Sequence, residues 1–369
     1  MKIVLCGRFN SYGEINGMTK FSLKLFEGLV QCGQEVVFLE YFFDGKKYGY
    51  IKKLFGHEKV LVNCNSIVLR LGVIPLIIFI IRNKVRFIHI VTYETYMVIF
   101  FVFKKIMDIK ILTTLHALTI YESEFENKKR SLKVKILEKL LYEKSDYLVF
   151  LSPYQIKKAK EYYKIDAKTE FISHGCDRIA EIEFLPLNSK LKIFFSGGIE
   201  RKVKGLDLVI SALSNINYEF DLYVCGLSPN GISKYMLNSH TENFTIFYKG
   251  HLDEQGYFSL LHSCDLVCIP SYFETFSITL LEAMSSGKII IVNNYVGATS
   301  YISNMRDGFI VEENTISQWE NILKMIFNMD KKNLDQIRRN AVIKSKQFLS
   351  WNEVARKYIK LYQKYYVYG

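Results

Sequence analysis

Proline is scarce in this 369-residue chain, with five in all, and tryptophan scarcer still, with two. So little proline excludes a proline-rich or collagen-like polymer, and 49% hydrophobic against 23% charged residues excludes a disordered one. Long apolar runs are missing too. The most apolar stretches, "LGVIPLIIFII" (71–81) and "MVIFFVF" (97–103), fall short of the ~20 residues a membrane-spanning helix needs, and read as core helices or strands. The opening "MKIVLCGRFN" moves straight into a strand and a polar loop, unlike a signal peptide. The seven cysteines, Cys6, Cys32, Cys64, Cys176, Cys225, Cys264 and Cys268, are odd in number and scattered through mostly apolar runs. That excludes a disulfide framework and points to reduced thiols in a cytoplasmic protein. Cys264 and Cys268 have no second pair at zinc spacing, so no metal site is expected.

Acidic residues are the next shortage. The chain carries a net charge of +12, and residues 1–185 hold 29 Lys/Arg against 20 Asp/Glu. A basic half suits an anionic partner or simply a lysine-rich composition. The basic residues form no known nucleic-acid recognition module, so nucleic acid is not expected as a partner. The run "KKRSLKVKILEK" (128–139) sets Leu132, Ile136 and Leu140 on one helical face. It reads either as a helix packed by its leucines or as one lying on anionic lipid at the inner face of the membrane.

What is abundant is alternation. "KIVLC" (2–6), a glycine-containing loop (7–20) and "FSLKLFEGLVQCG" lead into "EVVFLEY" (35–41), a β-loop-α-β unit that implies a parallel sheet. The pattern recurs through "VRFIHIV" (85–91), a helix over 94–107, "KILTTLH" (110–116), a helix over 128–144, "YLVFLS" (147–152) and "EFISHG" (170–175). A linker is expected at 181–190. A second series follows: "KIFFSGG" (192–198), a helix over 205–214, "DLYVCG" (221–226), "FTIFYKG" (244–250), "DLVCIPS" (265–271), a helix, and "KIIIVNN" (288–294). The expected fold is α/β, with a Rossmann-like parallel-sheet domain over 1–185, a second over 186–350, and a terminal helix over 351–369. Ligands bind beyond the C-terminal ends of such strands, in a cleft that the βα loops of both domains would line.

Chemistry concentrates in "SYFETFSITLLEAMSSG" (271–287), where Glu274 and Glu282 stand eight apart. Ser277 is placed to cap a helix whose first N–H groups, at Phe276, Ser277 and Ile278, suit a phosphate. Measured along an ideal helix, the two carboxylates lie roughly 12 Å apart, about 80° round, enough for opposite ends of one elongated ligand. The stretch "FFSGGIERKVKGLDLVISAL" (194–213) adds Arg201, Lys202 and Lys204 in a βα loop, a set suited to a diphosphate or to an ordinary solvated turn. His116 ends a strand and is as readily structural as functional. Gly13 and Gly17 allow close backbone approach without matching the dinucleotide G-x-G-x-x-G pattern.

In this order the stretches resemble the retaining glycosyltransferases of family 4, which pair two Rossmann-like domains in the GT-B arrangement. The likeness runs through "NGMTK", "TTLHALT", "FISHGCD", "SGGIERKVKG" and "CDLVCIPSYFETFSITLLEAMSSGK". It implies that Glu282 binds the donor ribose, Glu274 the transferred sugar and Lys204 the phosphates. The amides of Phe276, Ser277 and Ile278 hold the diphosphate, Gly17 closes over it, and His116 stands near the reacting centre. The family's arginine after the loop glycine is replaced here by Gly198, so Arg201 or Lys202 is expected to supply its charge. A family glutamate near 297–301 is also missing, with Tyr301 at about that position. The resemblance implies transfer from a nucleotide-diphosphate sugar, UDP-linked, to a glycan or lipid-linked acceptor, as in bacterial surface-polysaccharide synthesis, with no cofactor and no metal. A sugar-nucleotide epimerase of the same fold and a non-catalytic partner subunit are the alternatives.

Overall fold

The structure, a computed structural model, describes residues 2–9, 17–42, 49–63, 66–177, 184, 186–197, 201–226 and 244–366, with 2, 61–63, 95 and 366 by backbone alone. Gly13, Gly198, Cys64 and residues 181–183 and 185 of the linker expected at 181–190 lie outside them. The chain divides into two compact units, one of Met1–Ile120, Lys129–Gly175 and Leu349–Gly369, the other of Tyr121–Lys128 and Cys176–Phe348.

The first unit is built on an eight-stranded sheet. Its strands are β1 (Lys2–Cys6), β2 (Glu35–Tyr41), β3 (His57–Asn63), β4 (Ser66–Leu71), β5 (Phe87–Ile90), β6 (Lys110–Thr114), β7 (Tyr147–Phe150) and β8 (Lys168–Phe171). Their order is β3-β4-β2-β1-β5-β6-β7-β8. Every pairing is parallel except β3 with β4. This edge hairpin adds one antiparallel strand to the expected parallel sheet. Only two residues separate Asn63 from Ser66, and a parallel crossover needs a dozen or more.

The helices of this unit are α1 (Gly17–Gln31), α2 (Tyr50–Phe55), α3 (Val73–Arg82), α4 (Val98–Met107), α5 (Thr119–Phe125, shared with the second unit), α6 (Leu132–Lys144) and α7 (Pro153–Ala159). Helix α6 starts later than the expected 128, because the Ser131 hydroxyl caps it by accepting from the Val134 amide at 3.4 Å. Helix α3 departs from expectation in a different way. It is apolar from Val73 to Ile81, yet only Leu76 and Ile80 are buried, so it is not the core helix its composition suggests.

The second unit has six parallel strands in the order β11-β10-β9-β12-β13-β14. They are β9 (Leu191–Ser196), β10 (Phe220–Cys225), β11 (Phe244–Gly250), β12 (Leu266–Ile269), β13 (Ile289–Asn293) and β14 (Phe309–Val311). Between and after them run α8 (Leu206–Ser214), α9 (Glu254–Ser263), α10 (Ile278–Ser285), α11 (Ile316–Asn328) and α12 (Lys331–Ser345). Buried Asp265 ties the start of this sheet together, accepting from the Lys192 amide at 2.8 Å and from Asn188 at 3.0 and 2.9 Å.

The terminal helix, α13 (Trp351–Tyr366), packs in the first unit on α1. The fit is close enough to need Gly28, where a Cβ would come 3.0 Å from both the Ala355 methyl and the Trp351 carbonyl. Tyr358 and Tyr362 reach the sheet, pairing with Thr114 Oγ1 at 2.8 Å and His89 Nδ1 at 2.7 Å. His89 also meets Thr114 through Nε2 at 2.8 Å. His116 and His174 sit edge-on to Phe21, at 4.6 and 5.1 Å between ring centres.

All three histidines are buried, and burial lowers their affinity for a proton. His116 falls from 6.5 to about 3, with a backbone hydrogen bond to Val91 opposing the shift. His89 and His174 fall well below the usual value, by burial first and then by the nearby His116. The folded unit therefore refuses protons that the unfolded chain takes up. Stability from these groups is present above about pH 6.5 and is lost as pH falls towards the folded values. At about pH 4.5 the His116 shift alone removes roughly 2–3 kcal/mol. Thermal melts should show a steep loss of stability from neutral to acid pH, shallower in His116→Asn; parallel profiles would rule out this assignment.

Candidate functional site

In the second unit, strand β12 runs out at Ile269 into "PSYFETFS", and α10 begins at Ile278. The intervening segment is extended rather than helical. Glu274 bridges to Val296, donates its amide to the Tyr295 carbonyl at 3.2 Å and accepts from the Gly297 amide at 2.9 Å. Helical arithmetic between Glu274 and Glu282 therefore does not apply, because only the second carboxylate is on the helix. Ser277 caps α10, its hydroxyl accepting from the Leu280 amide at 3.4 Å. Its backbone sits at φ 123°, a conformation that costs a non-glycine residue about 1–3 kcal/mol and recurs at functional turns. Burial of Leu280, Leu281, Ala283 and Met284 along α10 offsets that strain.

Glu274 meets Lys204 here. The lysine ammonium lies 3.1 Å from Glu274 Oε1, and the Ser271 hydroxyl donates to Oε2 at 3.0 Å. Both side chains of the ion pair are nearly a quarter exposed, and such a pair contributes only about 0–1 kcal/mol to stability. Lys204 ends a 3-10 turn, Lys202–Lys204, in the loop between β9 and α8. Gly205 follows with φ +69°, and a Cβ there would lie 2.3 Å from the Pro270 carbonyl oxygen. The Tyr272 amide donates to the Val203 carbonyl at 2.8 Å. Backbone contacts thus hold the two loops together and set Lys204 beside Glu274.

Glu282 lies one turn into α10 and is buried. The Tyr257 hydroxyl, from α9, donates to its Oε2 at 2.8 Å. Burial and then the Glu282 charge keep the Tyr257 phenol well above its usual pKa, so it stays a donor at every working pH. Cys225, at the end of β10, is pushed up to about 11, chiefly by burial, with the Ser196 hydrogen bond opposing and the Glu282 charge adding.

The other predicted residues are distributed as follows. Phe276 is buried and packs edge-on against Tyr301, with ring centres 6.0 Å apart, and the Ala298 amide donates to its carbonyl at 3.1 Å. Ile278 is the first residue of α10. Lys202 is exposed. Arg201 is ion-paired to Glu122 and lies 3.5 Å from Glu126, both in Tyr121–Lys128. Burial pulls its pKa down, but these carboxylates more than compensate and raise it. Gly198 lies outside the described residues. Gly17, the exposed first residue of α1, and buried His116 belong to the first unit.

Two contributors went unread in the sequence. Ser271 has a visible signal, because "SYFE" has the Ser-x-x-Glu spacing of a capping box. Tyr257 has none, since its partner is 25 residues away.

The loop contact can be tested directly. Gly205→Ala adds a methyl against the Pro270 carbonyl at positive φ, and should destabilise the protein by about 2–4 kcal/mol in urea titrations. A change below about 0.5 kcal/mol would mean that the two loops do not depend on this approach.

Residues 15–178 match the Glycosyltransferase Family 4 model, and residues 177–343 match Glycosyl transferases group 1. An uncharacterized glycosyltransferase of Methanocaldococcus jannaschii is 26% identical over 257 residues, 66% of this chain and 64% of that protein. The match thus spans a little under two thirds of that relative. Among solved structures, sucrose-phosphate synthase from Thermosynechococcus elongatus superposes with a TM-score of 0.81 at 15% identity, covering all of both chains. Anabaena HepE, solved in complex with UDP-glucose, gives 0.74 at 15% identity, covering 99% of this chain and all of that one. At such identities the structural likeness is one of fold. The two family models meet at the boundary between the units and together take in nearly the whole chain, which belongs to the family 4 glycosyltransferases of GT-B type.

Proposed function

We propose that the protein transfers a sugar from a UDP-sugar to a hydroxyl of a glycan or lipid-linked acceptor, with retention of configuration. The observation that carries this reading is the Lys204–Glu274 pair beside the capped start of α10, with Glu282 on the same helix. A sugar and the phosphate attached to it need a hydrogen-bond acceptor and a cation a few ångströms apart, and this pair supplies both. The complex of Anabaena HepE with UDP-glucose supports the choice of donor.

In this reading Glu282 accepts from the ribose hydroxyls, with the Tyr257 hydroxyl holding its Oε2 in place. The α10 amides and Lys204 take up the negative charge that develops on the diphosphate as the bond from the sugar C1 to its phosphate oxygen breaks. The acceptor oxygen bonds to C1 on the same face, and its proton passes to the departing phosphate oxygen. Lys202 adds positive charge from the same loop, whereas Arg201 is already committed to Glu122 and Glu126. With these charges supplied by the protein, no divalent ion is required. His116, neutral at physiological pH, serves as a hydrogen-bonding group rather than a cation.

Thermal shift with UDP, GDP and ADP in the presence of EDTA tests the donor site. UDP should stabilise the wild type and not Glu282→Ala, and UDP-sugar hydrolysis or transfer should survive EDTA. No stabilisation by any nucleotide, or equal stabilisation of the variant, would overturn the assignment.

Tyr257→Phe tests how Glu282 is held. Losing a hydrogen bond to a carboxylate should weaken UDP binding by about tenfold. Unchanged affinity in calorimetry would show that the tyrosine does not orient the ribose ligand.

A further inference from the structure

The first unit carries an unusual outer surface. The connections β4 to β5, β5 to β6 and β6 to β7 all step the same way along the sheet order. Right-handed crossovers therefore place α3, α4 and α6 on one face. The step from β1 to β2 is the reverse, so α1 lies on the opposite face, where α13 covers it. Helix α2 adjoins α3: the Gly72 amide donates to the Gly56 carbonyl at 2.7 Å, and Gly72 packs against the Leu54 backbone. Lys104 of α4 reaches the end of α6, donating to the Lys144 carbonyl at 2.6 Å.

Nothing in the described chain covers this band. Tyr50, Ile51 and Phe55 of α2 are exposed, as are Ile74, Ile78 and Ile81 of α3, Val102 and Ile106 of α4, and Leu132 and Ile136 of α6. Tyr50 at 77%, Ile51 at 76%, Ile106 at 72% and Leu132 at 71% exposure are close to fully solvated. Scattered apolar residues are normal on a protein surface, but exposed apolar rows on two packed helix pairs of one sheet face, α2 with α3 and α4 with α6, are not. The four helices also carry nine Lys and Arg against two Glu. One of those glutamates, Glu138, is buried and paired with Arg130. Arg82, Lys105, Lys133, Lys135 and Lys139 are exposed among the apolar side chains.

We propose that this face of the first unit docks on an anionic lipid surface, with the α3 isoleucines entering the acyl boundary and the lysines meeting headgroups. The charge selects the occupant. Lys52, Lys104 and Lys139 are paired with Glu58, Asp146 and Glu143, but a second copy of the chain would still set Arg82, Lys105, Lys133 and Lys135 against like charges, whereas an anionic bilayer satisfies both the apolar and the charged components. The protein would lie on the membrane and not cross it, since no helix of the described residues is long and apolar enough to span one. The proposal extends the transfer reading, on which it rests for its consequence: the acceptor is met at the membrane.

The test is co-sedimentation of the full-length protein with phosphatidylcholine vesicles, with and without phosphatidylglycerol and with no donor present. Anionic vesicles should bind at least about tenfold better than neutral ones, and high salt should weaken that binding. Ile74→Ser/Ile78→Ser/Ile81→Ser and, separately, Lys105→Glu/Lys133→Glu/Lys135→Glu should each abolish it, while Ile343→Ser on the second unit leaves it intact. Melting curves check folding, and the lysine variant carries the test if the isoleucine variant does not fold. Equal binding to both vesicle types, or wild-type binding by the lysine variant, would overturn the proposal. So would a lipid-free dimer that the isoleucine variant dissociates, which would assign the face to a second copy. Glu282→Ala should sediment like the wild type, so failure of the donor site and failure of this surface are read separately.

Discussion

One backbone contact governs the site: Gly205 against the carbonyl of Pro270. The loop after β9 and the loop after β12 leave neighbouring strands, and here they touch with no room for a side chain. The Tyr272 to Val203 hydrogen bond repeats the tie one step away. Lys204 and Glu274 are therefore brought together by main chain, and their own attraction is a consequence. That order of causes matters for chemistry. A half-open ion pair that contributes little to stability can exchange partners for a phosphate and a sugar without loosening the fold.

The two glutamates divide their work by environment. Glu282 is buried and held at Oε2 by the Tyr257 hydroxyl, which makes it a rigid, directional group. Glu274 is more exposed and held through a lysine and a serine hydroxyl, so it can adjust. Arg201 shows the opposite arrangement: it is tied by Glu122 and Glu126, and its charge is already compensated. In the proposed transfer, cationic support for the leaving group would fall to Lys204, Lys202 and the start of α10, which would give the strained Ser277 cap a purpose beyond terminating a loop.

How much of this was legible follows from the distance over which each feature is set. Strand-loop-helix alternation is local, so two α/β units and most of their strands could be read directly. The β3–β4 hairpin was missed because it rests on a short polar link within a weakly periodic stretch. The E-x7-E spacing was visible, but its geometry was misjudged as helical, since nothing local announces that 270–276 pairs with the segment near Val296. Tyr257 beside Glu282 and Glu122 beside Arg201 join residues 25 and 79 apart, beyond any spacing rule. Helix α3 failed for a different reason. A helix apolar all round is ordinarily buried, and this one is not.

That failure is local, which gives it meaning. The unit as a whole does not bury its helices poorly: α13 turns Trp351, Val354, Ala355, Tyr358 and Tyr362 inward and leaves Arg356, Lys357 and Lys360 outside. Its tyrosines bond to the sheet through Thr114 and His89, and Gly28 is kept bare to admit it. The chain therefore commits its last helix to the α1 face and has ordinary polar patterning available for an outer surface. On the other side, α3 is apolar for nine consecutive residues and leaves Ile74, Ile78 and Ile81 exposed without that patterning, with Arg82 exposed at its end. Composition alone would spread both features over the molecule. Their concentration on one face of one sheet is the pattern on which the proposed lipid contact rests.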